Sequence, residues 1–338
     1  MRVLWLSPWM RTLSRVHVEA LHDLGHECRL VTSDQHYEKT AALPYETVLN
    51  PRPKDPRTWG PLLRTVDAAR RWRPDVVVVE LVWDPRWTLF TRLAPTVHLV
   101  HDDAPHDATE VRPMWQRHLF ARFSRRAARV VAFSEHVAKR LPYPASVVPL
   151  TSDVLDRAVP APASEKRDFV LYGRMSPYKN VPVALEAWER HVKSDSYRGD
   201  RLLLLGDGPL DVGHLPEQCE WRRERYTYAQ VLPLISHAKG SLVHYRHATQ
   251  SGVQLLSMQL GVTPIVSDSG GLPEFQPVDE PPVGVDDVEG LAAAIGGLAD
   301  PEVAWKRGEM SRMHFERVFS ARASAQVLAE VLTSAARE

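Results

Sequence analysis

Short runs of apolar residues recur along the chain, separated by longer stretches in which apolar positions return every three or four residues. RVLWLS (2–7), CRLVTS (28–33), DVVVVEL (75–81), TVHLVH (96–101), RVVAFS (129–134) and ASVVPL (145–150) are near-continuously apolar. That is the pattern of strands buried on both faces. Between them, residues 11–25, closed by Gly25 as a C-cap, residues 58–72, stopping before Arg73-Pro74, and the strongly basic 112–127 predict helices. Strand–helix alternation implies a parallel sheet with helices on both faces.

The pattern then restarts. Residues 154–167 (VLDRAVPAPASEKR) carry two prolines, three alanines and several charges without an apolar period, and predict a linker. After it come FVLYGR (169–174), RLLLLG (201–206), a weaker strand at 218–222, SLVHY (241–245) and TPIVSD (263–268). Helices are predicted at 181–193, 228–238, 252–260 and 288–299, and a long amphipathic one at 303–336 with a break near Ser320. The expectation is α/β: two consecutive Rossmann-like, doubly wound domains, residues 1–153 and 168–315, with 316–338 forming a C-terminal helix able to cross back to the first. Ligands bind at the carboxyl ends of such strands, and a cleft between two domains is the natural site.

Composition narrows the class. A chain of 338 residues suits two cores of about 150 residues each. Lys plus Arg equals Asp plus Glu at 42 each, so nucleic acid is not the expected partner. Cys28 and Cys219 are far apart and imply neither a disulfide framework nor a zinc site. MRVLWLSPW, interrupted by Pro8, lacks the apolar run of a signal peptide, and no stretch reaches about 18 apolar residues. A cytoplasmic protein is expected.

The candidate chemistry lies at strand exits. In FVLYGRMSPYKN, Gly173 lets the backbone turn after the strand, and Arg174 and Lys179 follow across a Pro-containing loop, with Asn180 as the N-cap of the next helix. Two cations there can clamp a diphosphate, although two surface charges beside a loop would read the same way. LLLLGDGPL brings Gly206 and Gly208 to that edge, where glycine permits close approach of a ligand. TQSGVQLLSMQLG (249–261) reads as a helix with a bare, carboxylate-free N-terminus, whose first amides would receive phosphates. VSDSGGLPE places Gly270 and Gly271 after another strand, in a loop able to wrap a sugar ring.

These segments together resemble the family 4 glycosyltransferases of the GT-B fold. YGRMSPYKNVPVALEAW resembles the family's G-R-x5-K-G/N segment, and GVTPIVSDSGGLPE its G-x-P-V-V-x-S/T-x2-G-G-x-P-E. In the first half, TVHLVHDDAP resembles T-x-H-D and VVAFSEHVAKRL resembles V-V-x-V-S-E. The resemblance covers nearly the whole chain. It implies two Rossmann-like domains facing across a cleft and a retaining transferase that uses a nucleoside-diphosphate sugar without a metal or other cofactor. Arg174 and Lys179 would neutralise the diphosphate. His101 and Asp102 would stand near the transferred sugar. Gly173, Gly206, Gly208, Thr249, Gln250, Ser251, Gly252, Val253, Gly270 and Gly271 would bind the donor.

The chain departs from the family at two positions. The family's paired glutamates, eight residues apart, fall on Ala248 and Leu256. Gln250 and Thr249 are expected to contact the sugar hydroxyls instead. On the acceptor side, Trp9 and Arg11 occupy the loop after strand 1, and ELVWDPRW adds Glu80, Trp83 and Asp84. Exposed indoles stack on sugar faces or planar aglycones, or simply pack between loop and helix. Glu80, Asp84 or Asp102 can each position an acceptor hydroxyl. The six arginines of 112–129 make peripheral membrane contact conceivable, but the helix's apolar face equally suits packing on the sheet. The acceptor is expected to be a small molecule or a glycan. Alternatives are a catalytically silent homologue serving as a nucleotide-binding partner, or a GT-B enzyme with epimerase or non-sugar chemistry. No G-x-G-x-x-G follows strand 1, which argues against a dehydrogenase.

Overall fold

The computed structural model describes residues 1–33, 40–103, 113–154 and 160–338. Internal contacts divide them into two units: residues 1–103, 113–154 and 321–338 in one, 160–320 in the other. The units are two parallel-sheet α/β domains.

The first unit runs β1 (Arg2–Ser7), α1 (Arg11–Asp23), β2 (Glu27–Ser33), β3 (Glu46–Leu49), α2 (Trp59–Trp72), β4 (Val76–Glu80), β5 (Thr96–Val100), α3 (Met114–Arg126), β6 (Arg129–Ala132), α4 (Glu135–Arg140) and β7 (Ser146–Val147). The sheet order is β3-β2-β1-β4-β5-β6-β7, and its pairings are parallel. Every residue of β4 and β5 is buried, including the polar Glu80, Thr96 and His98, as expected of strands covered on both faces. Leu4 and Leu6 face the α2 side with Leu62 and Trp72, whereas Trp5, one residue out of phase, stacks on His17 of α1.

The second unit runs β8 (Phe169–Tyr172), α5 (Val181–Val192), β9 (Leu202–Leu205), β10 (Cys219–Arg222), α6 (Tyr228–Ser236), β11 (Gly240–Val243), α7 (Gly252–Gln259), β12 (Thr263–Val266), α8 (Val288–Gly296) and α9 (Pro301–Val318). Its sheet, β10-β9-β8-β11-β12, is also parallel. Trp188 of α5 is fully buried against Phe169, Leu202 and Leu204. The last helix, α10 (Ala321–Ala336), belongs to the first unit. There it packs on α1, and Ser324 Oγ donates to the Pro149 carbonyl at 2.6 Å. The break between α9 and α10 falls at Phe319 and Ser320.

Three local expectations change. β3 was not expected, because ETVL is a half-exposed edge strand with no continuous apolar run. β7 keeps two residues of the expected six, because Pro144 and Pro149 on its flanks offer no ladder donors. Residues 155–159 of the expected linker lie outside the described residues, but its end is built into the second unit. Ala163–Glu165 form a 3-10 turn against α9, and the buried Lys166 Nζ donates to the carbonyls of Ser236, Ala238 and Gly261. Burial lowers that ammonium to about 8.

Candidate functional site

At the exit of β8, the two expected cations have different surroundings. Arg174 is exposed, whereas Lys179 is 2 % exposed. Lys179 Nζ donates to the Tyr172 carbonyl and to the Tyr245 hydroxyl, each at 2.7 Å, and lies 4.4 Å from the centre of the Tyr245 ring. Burial lowers the Lys179 ammonium to about 7 and pushes the Tyr245 phenol well above its ordinary value. A neutral tyrosine therefore receives a cation that titrates near neutrality. Two of its three N–H donors are engaged by these partners. A Cβ added to Gly173, which has φ +101°, would stand 3.1 Å from Lys179 Nζ. The ammonium therefore lies against the backbone turn where β8 ends. Tyr245 carried no signal beyond its place at the end of an apolar strand.

The glycines at this edge are explained mainly by neighbouring backbone. A Cβ on Gly206 would lie 2.1 Å from the Gly173 carbonyl oxygen, and one on Gly208 would lie 2.0 Å from that of Met175. Gly270 has φ +62°, and its Cβ would fall 1.8 Å from the Ala248 oxygen. Gly271 N–H donates to that same oxygen at 2.9 Å. The loops after β8, β9 and β12 thus close on each other and on the segment entering α7. Gly252 differs, because nothing lies within 4 Å of its would-be Cβ.

The N-terminus of α7 is not bare. Ser251 Oγ accepts from Gln254 N at 3.2 Å, so one of the orphan amides is already satisfied. Tyr172 Oη donates to the Val253 carbonyl at 2.8 Å and lies 3.0 Å from Ser257 Oγ, tying α7 to β8. The positions of the expected glutamates, Ala248 and Leu256, are buried. Thr249 is buried and Gln250 half-buried beside them. Asn180 stands at the N-cap position of α5 but does not cap it: its backbone is left-handed and Nδ2 donates to the Val285 carbonyl at 2.7 Å. Around β10, Arg222 pairs with Glu220, and Arg223 donates to the Leu210 carbonyl at 2.9 Å.

In the first unit, Glu80 at the end of β4 is fully buried and does not face an acceptor. Its carboxylate accepts from His101 Nε2 at 2.8 Å, Ser14 Oγ at 2.8 Å and Trp5 Nε1 at 3.0 Å. Burial acts to raise this carboxyl, but the hydrogen bonds from His101 and Trp5 and the neighbouring histidine charges outweigh it, holding it at about 2. His101, at the exit of β5, leans on Phe133 with ring centres 4.7 Å apart. Asp102 beside it is exposed. His17 stacks between Trp5 and Phe133, and its ring nitrogens have no hydrogen-bond partner among the described residues. Burial lowers it to about 4. Nothing in the spacing of Trp5, Ser14 and His17 marked them as neighbours of Glu80.

Two acceptor candidates are otherwise occupied. Arg11 is the first residue of α1 and is buried against Glu46, donating at 2.7 Å, with the half-buried Arg15 bonded to the same carboxylate. Asp84 is buried and grips Arg86 through both oxygens, while also accepting from Arg86 N. Neither side chain is available to an acceptor hydroxyl. Trp9, 45 % exposed, and Trp83 do line a cavity of the first unit. Among the described residues no group of His, Cys, Asp or Glu forms a metal-binding cluster, and no helix is long and apolar enough to cross a membrane.

Residues 14–143 match the family described as Glycosyltransferase Family 4, and residues 166–300 match Glycosyl transferases group 1. Together the two segments take in most of the chain. No curated protein sequence matches it. Sucrose-phosphate synthase from Thermosynechococcus elongatus has a similar structure, with a TM-score of 0.71, 17 % identity and 98 % of both chains covered. Anabaena HepE in complex with UDP and glucose gives a TM-score of 0.64 at 12 % identity over 99 % of this chain and 100 % of that one. An alpha-glucosyltransferase in complex with UDP and a 13-mer DNA gives 0.68 at 13 % identity, covering 98 % of this chain and 100 % of the other. The shared architecture is that of GT-B glycosyltransferases.

Proposed function

Because this chain belongs to the GT-B glycosyltransferases, with a family 4 first half and a group 1 second half, we propose that it moves a sugar from a nucleoside-diphosphate sugar to a small-molecule or glycan acceptor. Retention of anomeric configuration is what the family 4 resemblance implies. The observation that carries the reading is Lys179, a buried ammonium against Gly173 with Tyr245 beneath it. A buried cation at the carboxyl edge of a parallel sheet is placed to bind a phosphate, where low dielectric strengthens the attraction.

In this reading Arg174 and Lys179 hold the diphosphate as it leaves, assisted by amides of Gly252 and Val253 at the start of α7. Stabilising negative charge on the leaving group is the main catalytic contribution, and a metal or other cofactor is not needed for it. His101, fixed by Glu80, hydrogen-bonds the transferred sugar, with Asp102 beside it. Thr249 and Gln250 serve the sugar hydroxyls where the family has glutamate. UDP is the first nucleotide to test, because it is the one bound by the Anabaena and alpha-glucosyltransferase structures.

The buried Ala248 and Leu256 favour one second reading, a homologue that binds nucleotide without transferring sugar. Thermal shifts with UDP, GDP, ADP and dTDP, followed by hydrolysis of the matching donor sugars, separate the two. Turnover of any donor supports transfer, and nucleotide binding with no turnover supports the silent homologue. Arg174→Ala is expected to remove most of the diphosphate-dependent shift; an unchanged shift would overturn the phosphate assignment.

A further inference from the structure

We infer that the cavity between the loops after β1, β3 and β4 and the start of α3 is an acceptor subsite for a flat aromatic compound bearing an acidic group. Three indoles, Trp9, Trp83 and Trp115, line it with Pro51 and Pro53, and its volume is about 650 Å³. That size admits a ligand of two or three rings. Trp83 is fixed from behind, stacked on Phe120 with ring centres 5.3 Å apart and planes 15° apart. Trp9 and Trp115 stay 45 % and 53 % exposed. Exposed indoles converging on one hollow offer faces for stacking, at little rotamer cost.

The polar lining selects among flat ligands. A sugar ring needs hydrogen-bonding groups around its edge, whereas three indoles and three prolines make up most of this hollow and Gln116 is its one uncharged polar side chain. Asp84, its best-placed carboxylate, is already bound by Arg86. Asp55 accepts from Arg57 N at 3.0 Å. Arg52 and Lys54, both exposed in the loop after β3, give the rim two cations against the one carboxylate of Asp55. Indole faces with cations at the margin match an aromatic carboxylate or phenolate better than a neutral glycan. The loops after β1, β3 and β4 that line the cavity leave the same carboxyl edge of the parallel sheet as His101, so the bound ring lies on the side of the proposed chemistry.

This inference deepens the transferase reading and rests on it for the word acceptor. The test is calorimetric titration of the full chain with a hydroxynaphthoate, with neutral naphthol, maltotriose and farnesyl phosphate as competitors. Hydroxynaphthoate is expected to bind, naphthol about tenfold more weakly, and Trp115→Ala to weaken hydroxynaphthoate about tenfold, as for an exposed aromatic anchor. Thermal unfolding and circular dichroism of the variant are expected to match the wild type, which shows that the substituted unit is folded, and UDP is expected to bind as to the wild type. Tighter binding of maltotriose or farnesyl phosphate, or hydroxynaphthoate affinity unmoved by both Trp115→Ala and Trp9→Ala, would overturn the subsite. Loss of UDP binding by the wild type would instead strike at the transferase reading and leave the aromatic site standing.

Discussion

His101 Nε2 donates to Glu80 Oε1 at 2.8 Å, and the carboxylate that receives it is fully buried. The bond places a proton on Nε2 and fixes the orientation of the imidazole ring. Trp5 and Ser14 hold the second carboxylate oxygen, so Glu80 cannot turn toward another partner. Glu80 is therefore a positioning residue that acts through His101.

Glu80→Gln keeps the shape and an oxygen for the histidine but removes the charge. Loss of orientation of this kind can cost up to about a hundredfold in rate. The expected outcome is a lower kcat with donor KM little changed, measured by initial rates once a donor is known. Equal losses in kcat and in thermal stability would mark a purely structural role.

His17 supplies a pH test. Its folded value of about 4 lies below the ordinary 6.5, with burial as the cause and Glu80 and His101 as its charged neighbours. The unfolded chain therefore binds more protons between pH 6.5 and 4, and stability falls as pH drops through that window. A change of this size corresponds to roughly 3 kcal/mol. His98, lowered by burial to about 3, adds a loss of the same sign. Glu80, held at about 2, contributes stability above pH 4.5 that is lost as pH falls toward 2. His17→Phe is expected to flatten the decline between pH 6.5 and 4, read by urea melts at fixed pH. An unchanged slope would show that His17 is not a source of the acid lability.

Lys179 links nucleotide binding to pH. Its ammonium titrates near 7 in the free protein because burial disfavours the charge. A bound diphosphate favours the charged form, so binding takes up a proton and affinity falls as pH rises above 7. The limit is about tenfold per pH unit. Calorimetry of UDP in buffers of different ionisation enthalpy is expected to show that uptake at pH 8. Proton release, or an affinity flat from pH 6 to 9, would contradict it.

Much of the architecture was legible in the sequence because buried parallel strands are apolar throughout. β4 and β9 are unbroken runs, and such runs have few other readings. β3 and α4 were not legible, because each is short and makes its contacts at one edge. At the site, the motif order pointed to the Gly173–Lys179 turn, but not to Lys179 being buried. That burial depends on Tyr245, 66 residues further along, and no local pattern reports a contact of such range. Arg11 read as an open polar residue because its partner Glu46 lies 35 residues further along, whereas Asp84 is held by Arg86 only two residues on, a local pair that the strand-exit reading passed over.

Two glycines separate packing from ligand approach. Gly206→Ala would drive a methyl into the Gly173 carbonyl, and overpacking of backbone commonly costs about 1–3 kcal/mol or more. A lowered Tm is expected. Gly252→Ala meets open space, so Tm is expected to hold while UDP affinity falls. A Gly252→Ala protein with wild-type affinity would remove the start of α7 from the donor site.

The central claim concerns where the diphosphate sits. A crystal structure of the protein with UDP tests it most directly. The account predicts phosphate oxygens within about 3.2 Å of Lys179 Nζ and of the Arg174 guanidinium, with the Gly252 amide facing them. UDP bound with its phosphates away from the β8 exit, and Lys179 still bonded only to Tyr172 and Tyr245, would contradict it.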